Sequence, residues 1–209
     1  QNPMFADRRV RQALAHAVNK EELIDGILLG LGREATGPFK PGTWQYNPDV
    51  KRYPYDPQRA LQLLAEAGWR DTDGDGILDR NGQRFEFELL ANQGNEVRAK
   101  TAEIVQRRLA ELGISVKIRV IEWAAFIKEF INKRRFDAVI LGWTIPMDPD
   151  LHDVWHSSKT GPSELNFISY RNDEVDALLE KGRGTFDRAE RKRCYDRIQE
   201  ILAEDQPYI

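Results

Sequence analysis

Residues 83–123 read QRFEFELLANQGNEVRAKTAEIVQRRLAELGISVKIRVIEW. Phe85, Phe87 and Leu89 alternate with polar neighbours, as in a half-buried strand. Residues 96–112 then carry a helical pattern that Gly113 ends, and Ile114, Val116, Ile118 and Val120 alternate again. A helix of that length spans the return that two parallel strands need, so the stretch predicts a right-handed βαβ unit. Downstream, residues 123–133 repeat a helical pattern with Phe126, Ile127, Phe130 and Ile131 inward. Residues 137–143, nearly all apolar, predict a third strand buried on both faces. Ligand contacts in open α/β sheets gather at the carboxyl ends of strands, so Trp123 and Trp143 are expected on one rim, where an indole can stack on a solute.

Outward from this unit the chain is helical. Asp7 is an N-cap candidate for a helix carrying Val10, Ala13, Leu14, Ala17 and Val18. Asn19-Lys20-Glu21-Glu22 resembles a capping box for a second helix with Leu23, Ile24, Ile27 and Leu28 inward, closed by Gly30. Asp56-Pro57 supplies an N-cap and an N1 proline for a helix through Ala67, stopped by Gly68. Beyond the third strand come a short helix at 148–156, an extended stretch at 166–170, and helices at 173–181 and 187–204, with Gly182-Arg183-Gly184 read as the break between them. The expectation is one α/β domain with a small mixed or parallel sheet and flanking helices. The loop 30–56, with Phe39, Trp44, Tyr46, Tyr53 and Tyr55 among its Gly and Pro, is long for a compact domain. It either contacts a partner surface or packs on its own domain.

The 209 residues are 41% hydrophobic and 31% charged with net charge -3, so no strong field recruits nucleic acid or an anionic membrane, and no partner of either kind is expected. No run is long and apolar enough to span a bilayer. The single Cys194 excludes an internal disulfide and reads as a buried filler on a helix. Asp71-Thr72-Asp73-Gly74-Asp75-Gly76-Ile77-Leu78-Asp79 begins like a calcium loop, with carboxylates at Asp71, Asp73, Asp75 and Asp79. Position 12 is Gly82 instead of a bidentate Glu, which favours a solvated hairpin turn over bound calcium. His152 and His156, at i and i+4 beside Asp148, Asp150 and Asp153, give a second possibility, a metal-dependent hydrolase, but no Glu stands between them as in the catalytic zinc motif. Neither a GxSxG elbow nor a phosphate-binding glycine loop is present. No enzyme constellation rises above background.

The ordered set of short motifs is more specific than any one of them. Asp7-Arg8-Arg9-Val10-Arg11-Gln12-Ala13-Leu14, Ala17-Val18-Asn19-Lys20-Glu21, Gly37-Pro38, Tyr55-Asp56-Pro57, Ala65-Glu66-Ala67-Gly68-Trp69, the Asp71–Gly76 run, Glu122-Trp123, Gly142-Trp143, Asp148-Pro149-Asp150 and Asp205-Gln206-Pro207-Tyr208-Ile209 occur in that order. Together they resemble the C-terminal lobe of the extracytoplasmic solute-binding proteins of family 5, the peptide and nickel receptors of ABC importers. The resemblance implies a type II periplasmic-binding-protein-like lobe, residues 1–209 being one lobe of a two-lobed receptor whose signal and first lobe lie outside the sequence. It implies a peptide or related small solute, a partner N-terminal lobe, permease subunits of an importer, no catalysis, no cofactor, and a place in the periplasm or tethered outside the membrane. In oligopeptide relatives the tryptophans matching Trp123 and Trp143 line the cleft. The Asp that pairs with a peptide amino terminus is replaced here by Pro146, leaving Asp148 as the candidate. Arginines that hold a peptide carboxylate are replaced by Phe130 and Ile140, which favours a longer peptide or a less polar solute. Asn166 is a further cleft candidate.

Overall fold

The computed structural model describes residues 2–144 and 150–209. Its centre is strand β3 (Glu86–Asn92), paired in parallel on one side with β4 (Ser115–Ile121) and on the other with β5 (Ala138–Val139). Helix α4 (Glu96–Ala110) connects β3 to β4, so the expected βαβ unit is present, with Glu86 opposite Ser115 and Asn92 opposite Ile121. A short antiparallel hairpin, β1 (Asp79–Arg80) and β2 (Gln83–Arg84), precedes it.

Caps define the helices as read from the sequence. Asp7 accepts from the Arg9 amide ahead of α1 (Arg8–Ala17), Asn19 from Glu22 ahead of α2 (Lys20–Leu28), and Asp56 from Arg59 ahead of α3 (Pro57–Glu66). The capping box at α2 is only half made, because the Glu22 carboxylate is taken by Arg107 and Arg108 of α4. Gly68, at φ 88°, takes the left-handed turn that ends α3.

The main core fills the space between α1, α3, α4 and the sheet, with Val10, Leu14, Leu63, Leu64, Trp69, Phe85, Phe87 and Ile114 among its buried residues. Trp69 packs against Phe85 with ring centres 4.4 Å apart and the planes tilted by 35°. A second core joins helix α6 (His152–Trp155) to α7 (Asp173–Gly184) and α8 (Arg188–Asp205) through Trp155, Val175, Leu179, Tyr195 and Ile198. A third, with Leu90, Phe126, Ile131 and Phe167, covers the other face of the sheet.

Several elements differ from the sequence reading. Alternation on β3 stops at Leu89, and Leu90, Ala91 and Asn92 are all buried, Leu90 because the third core covers the outer face. The apolar run after Asp137 is a two-residue edge strand of intermediate burial, not a strand buried on both faces. The Asp137 carboxylate, in place of a backbone carbonyl, accepts the Glu88 amide at 3.0 Å, and the ladder starts only beyond it. The helix after Trp123 is α5 (Trp123–Ala125) followed by a π-helix, Phe126–Ile131. Its wider turn brings residue i+5 over residue i, so Phe126 and Ile131, five apart, enter the same core. No residue of α2 is fully buried, against the inward face expected for it. Gly182-Arg183-Gly184 continues α7 instead of breaking it. Residues 166–170 form a turn, not an extended segment.

The long loop is anchored on α8. The Gln199 amide, 1% exposed, donates to the carbonyls of Gln45 and Tyr195 and accepts the Asn47 amide at 3.0 Å. Phe39 packs beside Tyr195 in the second core. Cys194 is buried as expected, and burial pushes its thiol above the usual range. Replacing Gln199 by Ala strips two loop peptide groups, the Gln45 carbonyl and the Asn47 amide, of their partner. Urea unfolding of Gln199→Ala is expected to show a loss of about 3 kcal/mol; an unchanged midpoint would remove Gln199 as the loop's anchor.

Candidate functional site

Parallel pairing puts the ends of β3, β4 and β5 on one edge, and Trp123 and Trp143 follow β4 and β5 there. Both are solvent-accessible, at 47% and 39%. Trp123 stacks on Phe126 at 5.9 Å, and Trp143 on Phe167 at 5.7 Å with its ring plane 19° from parallel. The stack continues from Phe167 to Tyr208, whose ring meets Trp155 at a tilt of 47°.

Beside Trp143 lies a groove of about 420 Å³. Leu141, Leu151, Val154, Trp155 and Leu202 give it an apolar wall, residues 34–38 and Tyr53 of the long loop form the opposite side, and Gln206 to Ile209 close one end. The loop therefore packs on its own domain, the second of the two roles open for it, and also borders the groove. Lys20 and Lys51 at the rim are paired with Glu34 and Glu204, each at 2.9 Å. Asp150 is held by Arg183 at 2.7 Å. Neither the Tyr53 nor the Tyr208 hydroxyl, both buried, completes a hydrogen bond of good geometry among the described residues. Burial pushes both phenols upward, which keeps them protonated donors. A buried donor left open in an aromatic groove favours a solute with carbonyl or other acceptor oxygens.

Of the predicted ligand-binding residues that are described, Trp143 lines this groove and the others do not. Trp123 shares the sheet edge but stands outside it. Phe130 is half-buried against the third core with the Arg119 guanidinium 4.9 Å above its ring, and Ile140 packs against the main core. Both are framework at this edge, since their apolar side chains are already in contact with the chain's own interior. Asn166 is 0% exposed, and its amide is spent on the His156 and Tyr170 carbonyls and the Tyr170 amide, so it braces a turn and presents nothing to a solute. Asp148, Pro146 and Pro149 lie outside the described residues. Sequence reasoning marked the loop that holds Tyr53 and residues 34–38, and the motif that holds Tyr208, but assigned none of these residues a contact, because they reach the groove through tertiary packing that no local pattern encodes.

The metal readings fare unevenly. His152 and His156 stack face to face at 4.3 Å and point to separate partners, Asp153 at 3.5 Å and Glu180 at 3.4 Å. Two rings stacked in this way do not converge on a common ligand position, and the pair forms no three-residue metal cluster among the described residues. The hydrolase expectation is not assembled by the fold. Asp71, Asp73 and Asp79 do approach one another within 4.8 Å. Asp75 is drawn away to Arg84 at 2.5 Å, which departs from the four-carboxylate set read from the sequence. Asp71 accepts the Gly74 and Gly76 amides, and Asp79, 8% exposed, accepts the Thr72 amide and hydroxyl.

Comparison with known proteins places the chain. Residues 1–164 match the family model described as bacterial extracellular solute-binding proteins, family 5 Middle. The chain belongs to this family. It is 41% identical over 210 residues to the oligopeptide-binding protein AppA of Bacillus subtilis, a match that covers 99% of the chain and 38% of that relative. The structure of that protein in complex with a nonapeptide superposes with a TM-score of 0.94 at 42% identity, covering 99% of this chain and 42% of that one. NikZ of Campylobacter jejuni, solved in complex with Ni(L-His), superposes with a TM-score of 0.89 at 31% identity, covering 99% of this chain and 41% of that one. The heme-binding protein A of Haemophilus influenzae is 33% identical over 210 residues, 98% of this chain and 36% of its own length. The chain thus has the α/β fold of the family 5 periplasmic binding proteins and spans well under half the length of these relatives. Its relatives are solute-binding proteins, not enzymes, and no helix among the described residues is long and apolar enough to cross a membrane.

The acidic loop yields a direct check. With a chelator present, so that no cation contributes, Asp79→Ala is expected to lower stability by about 2 kcal/mol in chemical denaturation. Asp73→Ala, at an exposed position, is expected to leave it within about 0.5 kcal/mol. Equal effects would contradict the separate roles assigned to the two carboxylates.

Proposed function

We propose that this chain is one lobe of a two-lobed receptor that captures an extended peptide for an ABC importer, and that the groove beside Trp143 is this lobe's share of the binding cleft. The observation that carries the reading is the groove itself: an aromatic and apolar trough at the carboxyl edge of a parallel sheet, with two buried phenol hydroxyls left to donate. Apolar walls bury side chains of varied identity, while the hydroxyls and exposed main-chain groups meet peptide carbonyls. AppA, to which the chain is 41% identical, is named an oligopeptide-binding protein, and its structure holds a nonapeptide. On this reading the partners are a second lobe and the permease subunits. The location is the periplasm or the outer surface of a membrane to which the complete protein is tethered. No chemical step is required: closure around the solute follows from tighter binding to the closed form. No cofactor is assigned. NikZ carries Ni(L-His) and the Haemophilus relative is named for heme, so metal complexes and planar ligands belong in the test panel as competitors of peptide.

Calorimetry on the complete protein with nine-residue peptides tests the assignment. Trp143→Ala is expected to weaken binding by about 2 kcal/mol, roughly thirtyfold, because a central aromatic contact is lost. Its melting temperature is expected to change little, since the indole is 39% exposed. Unchanged affinity would take Trp143 out of the site, and affinity for heme or a nickel complex with none for peptide would replace the solute class.

Residues 1–209 alone supply one wall, and are expected to bind the same peptides weaker than about 100 µM, because burial on one side leaves most of a solute in water. Micromolar or tighter binding by this segment would contradict the two-lobe division.

A further inference from the structure

Resting on the peptide-receptor reading, we infer that Arg98 is a carboxylate reader at the sheet edge and the source of charge preference in the cleft. Arg98 sits in the first turn of α4, directly beyond the end of β3, and is half-buried. Its Nη1 donates to the Asn92 side-chain oxygen at 2.6 Å, and its Cζ lies 5.7 Å from the centre of the Trp123 ring. On the other side it meets Gly142, where an added Cβ would stand 3.6 Å from Nη2. One guanidinium is therefore held between the two segments that carry Trp123 and Trp143.

What Arg98 lacks is an anion. Arg107 and Arg108 share Glu22, Arg183 has Asp150, and Arg197 has Glu174, yet no carboxylate pairs with Arg98 among the described residues. Neither the carboxylate next to Trp123 nor the one two residues before Arg98 serves it. Glu122 spends its two oxygens on the Ala124 and Ala125 amides, and Glu96 is exposed without an ion pair among the described residues. A guanidinium that is partly withdrawn from water, fixed by Asn92 and an indole, and still holding free N–H groups has the planar fork that a carboxylate fits. Asn92 and Trp123 keep its geometry, so little side-chain entropy remains to be lost when the anion arrives. The carboxylate belongs either to the carboxyl terminus of a peptide or to an acidic side chain within it.

The test uses the complete protein, as wild type, Arg98→Gln and Arg98→Lys, and three nine-residue peptide libraries. One has free carboxyl termini and no Asp or Glu, the second is the same library amidated, and the third is amidated but contains Glu. Retained peptide is measured by mass spectrometry. Wild type is expected to retain at least one carboxylate-bearing library about tenfold better than the amidated, acid-free one. The first library preferred points to the terminus, the third to a side chain. Arg98→Gln is expected to erase that preference, so that the carboxylate-bearing libraries are retained no better than the amidated, acid-free one, and Arg98→Lys to keep part of it. An equal loss for all three libraries in Arg98→Gln and Arg98→Lys would reduce Arg98 to a support for Trp123 and overturn the inference, as would an unchanged preference in Arg98→Gln. Retention of no library by wild type would instead overturn the peptide reading, and the role of Arg98 with it.

Discussion

Everything at the candidate site depends on the parallel pairing of β3 with both of its neighbours. A parallel pair cannot be closed by a tight turn, so each strand has to leave the sheet at its carboxyl end and return through a helix. That requirement gathers three chain exits on one edge: Asn92 into α4, Ile121 into Trp123, and Val139 into Gly142-Trp143. An antiparallel arrangement would have divided these exits between two edges. The register of β3 on β4 adds a second constraint, because a shift of one residue would turn Phe87 and Leu89 out of the main core.

The groove needs a second wall, and the sheet alone does not supply one. The rest of its lining comes from the long loop and from Leu202 and Ala203 of α8, which polar ties hold to α1. Arg11 donates to the Asp205 carbonyl at 2.7 Å and Gln12 to the Glu204 carbonyl at 2.8 Å, at the carboxyl end of α8 where a helix leaves its acceptors open. Tyr170 donates to the Asp205 carboxylate, and burial together with that carboxylate holds its phenol protonated. These bonds fix where residues 206–209 emerge, and those residues close the groove. The loop is thus ordered by buried hydrogen bonds to Gln199, which explains how a stretch without regular structure can still present a defined surface.

How much of this the sequence disclosed follows from the range of the interactions. Caps are local, so Asp7, Asn19 and Asp56 announce their helices, and the βαβ unit is visible because two alternating runs flank one helical run. The third strand misled because its apolar content resembles that of a fully buried strand, whereas the Asp137 carboxylate takes the first ladder position and leaves a short edge. Asn166 was misread for a similar reason: an amide in a cleft-facing segment and an amide that braces a turn have the same letter, and only three short bonds to Tyr170 and His156 distinguish them. The tryptophans were legible as element ends. Their partners Phe167 and Tyr208 were not, since stacking between residues far apart in the chain leaves no periodic trace.

The division between framework and contact residues also bears on selectivity. Phe130 and Ile140 are committed to the interior, and Lys20 and Lys51 to their own carboxylates, so little fixed charge faces the groove from those positions. An apolar trough discriminates weakly among side chains, because a methylene more or less changes affinity by only about 1 kcal/mol. Affinity gained from aromatic burial and main-chain acceptors would then be spread along an extended solute instead of concentrated on one residue type. Discrimination then falls to polar groups whose partners are not yet supplied, among them, in the described residues, the two phenol hydroxyls and a guanidinium without an anion. Leaving such a group unpaired when a solute binds costs more than losing an apolar contact, which makes an open donor a stronger filter than any apolar wall of the groove.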